Sequence, residues 1–213
     1  MKLIAVNVAR QNTVSYRGHD VPTGIFKQPV AQPVMVRMLG LDGDTVADLS
    51  VHGGPFKAVY AYPVEHYPEW ARELKRDDLF PGQFGENLTV EGMTEDQVHI
   101  GDVFRVGGAV LQVTQPRVPC YKLAAKMGSM KFPKLFLGSG RVGYYFRVLE
   151  EGVIRAGDPI ERTVVDAARV AVQDIVRLAF GEEGDPVQTE RALGIPALSS
   201  EWRAMLEERL TGV

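Results

Sequence analysis

Cysteine is almost missing from this 213-residue chain, which has one, Cys120. A lone thiol excludes an internal disulfide, a multi-cysteine zinc site and an iron–sulfur ligand set, so secreted disulfide scaffolds and zinc ribbons drop out. No apolar run approaches the ~20 residues that a bilayer crossing requires, and no membrane association is expected. The opening "MKLIAVNVARQ" has one lysine, an apolar run broken by Asn7 and no small-residue cleavage site. That predicts no secretory leader and a cytoplasmic protein. Helix-turn-helix and zinc-finger signatures are missing, and the basic residues are not interleaved with stacking aromatics, so nucleic acid is not an expected partner.

Acid is missing from one long window. No Asp or Glu occurs from Val103 to Leu149, where Arg105, Arg117, Lys122, Lys126, Lys131, Lys134, Arg141 and Arg147 all fall. The formal net charge is −3, so the rest of the chain is acidic. A stretch of one sign is either a solvated basic face or a field that attracts an anion, and a small anionic ligand fits better here than nucleic acid.

What is present up to about residue 162 is a series of short strands punctuated by Gly and Pro. "KLIAVNVA", "GIFKQPV", "PVMVRML", "KAVYAY", "NLTVEG", "VFRVGGAVLQVTQ" and "GYYFRVLE" are rich in Val, Ile, Tyr or Phe, and Gly107-Gly108 signals a hairpin. "VHIGDVFRV" and "VIRAGDPIER" share a Gly-Asp step that reads as turn chemistry only. Many short strands with glycine corners predict a mainly β, closed or partly closed barrel. Two helices interrupt it, at about Val64 to Lys75 and Cys120 to Met127. Beyond about residue 163 the periodicity becomes helical: "DAARVAVQDIVRLAFG", "DPVQTERALGIP" and "SSEWRAMLEERLTG" predict three short helices, with Asp185 and Ser199 as caps. The expected division is a sheet domain over 1–163 and a three-helix domain over 164–213. In the last helix Trp202, Met205, Leu206, Arg209 and Leu210 form a stripe that must pack on the bundle, the sheet or a second subunit, which admits a homodimer.

Cys120 follows "PRVP" and starts a helix-like run, with Arg117 and Lys122 as neighbours. Basic neighbours and a helix start both favour a thiolate, suited to ligating a metal or to acting as a nucleophile; a structural core cysteine is the alternative. His19, His52, His66 and His99 are available as bases, but no nucleophile signature surrounds Cys120. In "SVHGGPFKAVYAY", His52 precedes two glycines and Lys57 heads a strand, a place where a phosphate can be met. In "PGQFGENLTVEG", the Asn87 amide either bonds a polar ring or closes a turn. His19 and His66 have no second ligand at metal spacing.

The series "TGIFK" (23–27), "LDGDTVADLSVHGGPFKAVYAY" (41–62), "FPGQFGENLTVEG" (80–92), "IGDVFRVGGAVLQVTQPRVPCYKL" (100–123) and "GYYFRVLEEGVIRAGDPI" (143–160) resembles the MOSC domain. That family takes its name from the C-terminal domain of molybdenum cofactor sulfurase, and the helical tail is similar to that of its YiiM-like subgroup. The resemblance covers nearly the whole chain. It implies a twisted β-barrel holding the molybdenum cofactor (molybdopterin), with Cys120 as the ligand to molybdenum and as the catalytic residue. It makes Arg117, Lys122, Lys57 and Lys27 candidates for phosphate or oxo contacts, and it puts His52 and Asn87 beside the pterin. The activity implied is reduction of a small N-hydroxylated substrate, of hydroxylaminopurine or amidoxime type. Tyr121 or Phe132 would form a substrate lip. With no dinucleotide G-x-G-x-x-G expected in the chain, electrons would come from a separate reductase. A cofactor-binding or sulfur-carrying module without turnover is the alternative.

Overall fold

Branched and aromatic residues alternate with polar ones over the first strands, and Gly or Pro ends each run, so the chain folds as short strands with tight corners. The computed structural model describes residues 1–16, 18–45, 53–181 and 184–211. The elements are β1 (Lys2–Val8), β2 (Asn12–Tyr16), β3 (His19–Thr23), β4 (Gln28–Pro29), β5 (Val34–Arg37), β6 (Gly40–Leu41), a 3₁₀ turn (Pro55–Lys57), β7 (Val59–Pro63), α1 (His66–Leu74) and β8 (Leu88–Glu91). There follow β9 (Val103–Val106), β10 (Ala109–Pro116), α2 (Tyr121–Met127), α3 (Phe132–Gly138), β11 (Tyr144–Glu150), β12 (Gly152–Ile154), β13 (Ile160–Val164), α4 (Val172–Phe180), α5 (Pro186–Leu193) and α6 (Ser200–Thr211).

Eight strands form the main sheet in the order β13-β9-β10-β11-β7-β8-β1-β4, and all neighbours are antiparallel except the parallel pair β7–β8. Register shifts within β1–β8, β10–β11 and β13–β9 add local twist. The sheet curls until the start of β1 meets the approach to β13: Lys2 bridges Pro159, and the Leu3 amide donates to the Asp158 carbonyl at 3.0 Å. That contact is an isolated bridge. Among the described residues no ladder joins the two edges, so the sheet is strongly curled and open, where the short strands with glycine corners suggested a closed or partly closed barrel and the family resemblance a twisted β-barrel. The 12–23 hairpin, also unforeseen, pairs only with itself.

Gly107-Gly108 does turn the β9–β10 hairpin. The two Gly-Asp steps act as turns: Asp102 accepts the amides of His99 (3.1 Å) and Asp166 (2.9 Å), and Asp158 accepts that of Arg155 (2.9 Å). α3 was not expected, because Pro133 reads as a breaker, yet it lies in the first turn, where its missing N–H costs nothing. Phe132 and Phe136 on α3 join Trp70, Tyr62 and Phe84 in a fully buried aromatic cluster. Phe132 therefore belongs to the core and cannot be a substrate lip. In the tail, Trp202 and Leu206 are buried as the stripe requires, and Trp202 packs edge-to-face on Phe180 at 5.9 Å. Asp185 caps α5 by accepting the Gln188 amide at 3.0 Å.

Candidate functional site

Pro116 ends β10 and Pro119 withholds an N–H, so residues 117–120 leave the sheet in extended form and deliver Cys120 to the N-cap of α2, with φ −114° and ψ 173°. α2 itself starts at Tyr121 and is seven residues long. Cys120 is half-buried and lines a cavity of about 110 Å³. Lys27, Lys57, Arg117, Lys122 and Asn87 line the same cavity, together with Asp44, Tyr60 and Tyr145. Thus six of the seven residues singled out from sequence come together. The seventh, His52, lies outside the described residues.

The cations differ in what already holds them. Arg117 is buried; its Nη1 donates to the Phe84 carbonyl at 2.8 Å, and its guanidinium lies 4.8 Å from the centre of the Tyr60 ring. The Tyr60 hydroxyl lies 3.5 Å from the same Nη1, and the guanidinium also hydrogen-bonds Tyr145. Burial disfavours its charge, but Tyr60, Tyr145 and Cys120 outweigh that and raise its pKa. Lys122 is 5% exposed, and among the described residues no carboxylate or carbonyl receives its ammonium. A buried cation without a counter-ion favours an incoming anion. Lys57 closes the 3₁₀ turn and forms an ion pair with Glu201 of α6.

Lys27 is committed internally. Its Nζ lies 2.6 and 2.5 Å from the two oxygens of Asp44, and burial lowers its pKa although Asp44 opposes that. Asp44 also accepts the Asn87 Nδ2 and the Ala9 amide, each at 2.8 Å. The Asn87 Oδ1 accepts the Tyr60 amide at 3.1 Å. Both ends of the Asn87 amide are therefore spent on the protein, and its part in the site is to brace the wall rather than to reach a ring. Asp44 was missed because "LDGD" reads as a turn and nothing local pairs it with Lys27.

Glycine forms the walls. A Cβ on Gly24 would lie 2.0 Å from the Thr45 carbonyl oxygen, and one on Gly85 (φ +84°) 2.9 Å from Ile25 Cγ1. The loop carrying Gly85 is organised by Glu86, which is fully buried and accepts from the Gly82 amide (2.7 Å), the Phe84 amide (3.0 Å), Thr89 and the Tyr67 hydroxyl. Burial raises its pKa, and these donors oppose the shift. Lys126 ties this loop to the 24–27 segment, donating to the carbonyls of Gly82 (2.6 Å) and Ile25 (2.9 Å). Next to Cys120 in the chain, Tyr121 stacks on Tyr16 of the β2–β3 hairpin with ring centres 4.2 Å apart, although neither ring lines the cavity. Tyr121 was expected as a lip; Tyr16 was not, since a hairpin that pairs only with itself leaves no sign of where it lands.

Most of the acid-free window faces elsewhere. Of its basic residues only Arg117 and Lys122 line the cavity, while Arg141 pairs with Glu69 and Glu73, and Arg147 bonds Gln112. His66 pairs with Glu95 at 2.6 Å, His99 with Asp102 at 3.2 Å, and His19 is exposed on β3. Among the described residues no three His, Cys, Asp or Glu side chains could together hold a metal ion. "GSGRVG" (138–143) does spell G-x-G-x-x-G, against the expectation from sequence. It leads from α3 into β11, the reverse of the strand-to-helix order a dinucleotide site needs.

Fold and cavity together define a sheet protein that presents one thiol within a glycine-walled, cationic cleft. The chain belongs to the MOSC domain family: the MOSC domain model matches residues 48–161, and the YiiM-like, 3-alpha helix domain model matches 170–212. It is 44% identical to the uncharacterized protein YflK of Bacillus subtilis, over 95% of this chain and 91% of that one. It is 41% identical to protein YiiM of Escherichia coli, over 90% of this chain and 86% of that one. A protein named reductase from Gibberella moniliformis is 37% identical, over 75% of this chain and 29% of its own length. The crystal structure of YiiM from Geobacillus stearothermophilus superposes with a TM-score of 0.83 at 35% identity, covering 98% of each chain. No helix among the described residues is long and apolar enough to cross a membrane.

Proposed function

We propose that this chain holds the molybdenum cofactor around Cys120 and is an oxidoreductase that reduces hydroxylaminopurine- or amidoxime-type compounds to amines or amidines. One observation carries the proposal: a half-buried thiol, a buried lysine with no counter-ion among the described residues and the buried guanidinium of Arg117 converge on one cleft. These residues fit the group, since a soft thiolate suits molybdenum and cations suit a pterin phosphate. Bound there, the cofactor would supply the two-electron chemistry.

The chain's own residues would bind and orient. Cys120 ligates the metal, Lys122 and Arg117 hold the anionic part of the cofactor, and Lys57 offers a further charge at the rim. The Tyr16–Tyr121 stack gives a planar substrate an aromatic surface beside the thiol. Reduction of R–NHOH to R–NH₂ and water consumes two electrons and two protons, and the electrons would come from a separate reductase. The relative named reductase supports redox work. We also place the boundary between sheet domain and helical domain at residues 163 and 164.

The test is to purify the protein from a cofactor-making host, measure molybdenum and pterin, and assay benzamidoxime and 6-hydroxylaminopurine with reduced methyl viologen as donor. Bound molybdenum with turnover supports the proposal. Bound cofactor without turnover of either substrate favours the carrier module, and no bound molybdenum overturns both.

A further inference from the structure

Among the described residues the helical tail touches Lys57, which lines the cleft, through an ion pair. Glu201, in the first turn of α6, forms an ion pair with Lys57, whose side chain is 18% exposed while that of Glu201 is 51% exposed. The negative charge of Glu201 is also felt at Tyr145, another lining residue. This placement is built from several elements. The Ser199 amide donates to the Thr114 carbonyl at 3.3 Å, and the Thr114 hydroxyl lies 2.6 Å from the Phe56 carbonyl and 3.0 Å from that of Tyr145. One residue of β10 thus fastens the start of α6, the turn that carries Lys57 and a wall of the cleft. Buried Trp202 fixes the helix on its other side.

We propose that Glu201 is a built-in counter-ion that competes with anionic ligands for Lys57, so that the helical tail sets the affinity of the cleft for phosphate groups. The inference rests on the anionic-ligand reading of the cleft given above. A phosphate dianion approaching Lys57 meets the Glu201 carboxylate first, and binding requires that carboxylate to swing toward solvent. Its half-exposed position permits this at small cost, because exposed ion pairs are weak. Lys122 and Arg117 lack such a competitor among the described residues, so the gate acts at one end of the cleft only.

The test uses the full chain, inorganic phosphate as probe and two readouts. Calorimetric titration at low salt should give Glu201→Gln a phosphate affinity roughly three- to tenfold above wild type. Glu208→Gln, on the exposed face of the same helix, makes the same change in net charge and should leave affinity unaltered. Competitive acetylation read by peptide mass spectrometry should show Lys57 more reactive in Glu201→Gln, relative to exposed Lys134, and protected by phosphate. Equal tightening in Glu201→Gln and Glu208→Gln, or none in either, overturns the proposal. If Lys57 reactivity rises but phosphate binds no variant, the gate is overturned because the anionic reading of the cleft has failed; if phosphate binds and Glu201→Gln changes neither readout, the gate alone has failed.

Discussion

Cys120 and Arg117 both line the cleft, and the function proposed for it gives them different work that substitution should separate. Cys120→Ser exchanges a soft, charge-donating sulfur for a hard hydroxyl of similar size, altering the electronics of a bound metal and little else. We expect N-hydroxyl reduction to fall sharply while the urea midpoint stays within experimental error. Unchanged turnover per molybdenum would remove thiolate ligation from the chemistry. Arg117→Ala removes a charged contact, worth about 1.5 to 3 kcal/mol, to an anionic cofactor. Cofactor occupancy at limiting supply should then drop by roughly ten- to a hundredfold, with a smaller change in rate per bound molybdenum. Because Arg117 also holds the Phe84 carbonyl, this variant should lose some stability, whereas Cys120→Ser should not. Occupancy, rate and urea midpoint measured together on both variants check the contrast.

At the scale of elements, α2 shows how one helix serves two ends. Its Cys120 end faces the cleft, and four residues beyond Lys122 the chain places Lys126, which fastens the 24–27 and 80–86 segments. Burial lowers the Lys126 pKa from 10.5 to about 8; Glu86 opposes the shift, and Lys27 and Arg117 add to it. The folded protein therefore gives up this proton near pH 8 and the unfolded chain near pH 10.5. Between those values the unfolded chain holds more protons, so stability rises with pH. The neutral amine keeps two hydrogens, enough for both carbonyls. Urea unfolding at pH 7.5 and 9.5 should show wild type gaining stability relative to Lys126→Met at the higher pH. A gap that does not widen with pH would mean that Lys126 ionises as it does in the open chain.

For the whole molecule, the attachment of the tail matters as much as the cleft. Trp202 on α6 is fully buried against Phe180, and its indole Nε1 has no hydrogen-bond partner among the described residues. Trp202→Ala should cost about 3 to 5 kcal/mol from lost packing and the cavity left behind. Trp202→Phe should cost much less, since it keeps a ring and deletes an unsatisfied donor. Chemical denaturation of the two variants distinguishes these outcomes; equal losses would mean that the indole N–H is satisfied in solution. Loosening the tail also frees Glu201 from Lys57, so Trp202→Ala should share part of the phosphate response of Glu201→Gln.

Local chemistry is enough to explain what could be read from the residues alone. Gly-Asp steps, Gly107-Gly108, alternating branched residues and the Trp202 stripe each act over a few positions, and they made the strands, the hairpin and the three tail helices legible. Cys120, Arg117 and Lys122 were legible as a site for the same reason, being neighbours in the chain. What tertiary structure alone decided are the partnerships formed across distant segments. Lys122 and Lys126 carry the same local signal on one helix, yet one lines the cleft with no counter-ion among the described residues and the other is bound to two carbonyls. Asp44 neutralises Lys27, Asn87 braces the wall, Tyr16 lands on Tyr121 and Glu201 reaches Lys57 only because the sheet curls and the tail docks on β10. Whether the sheet closes was likewise settled by long-range register, since the isolated Lys2–Pro159 bridge depends on twist accumulated over the seven strands from β13 to β1.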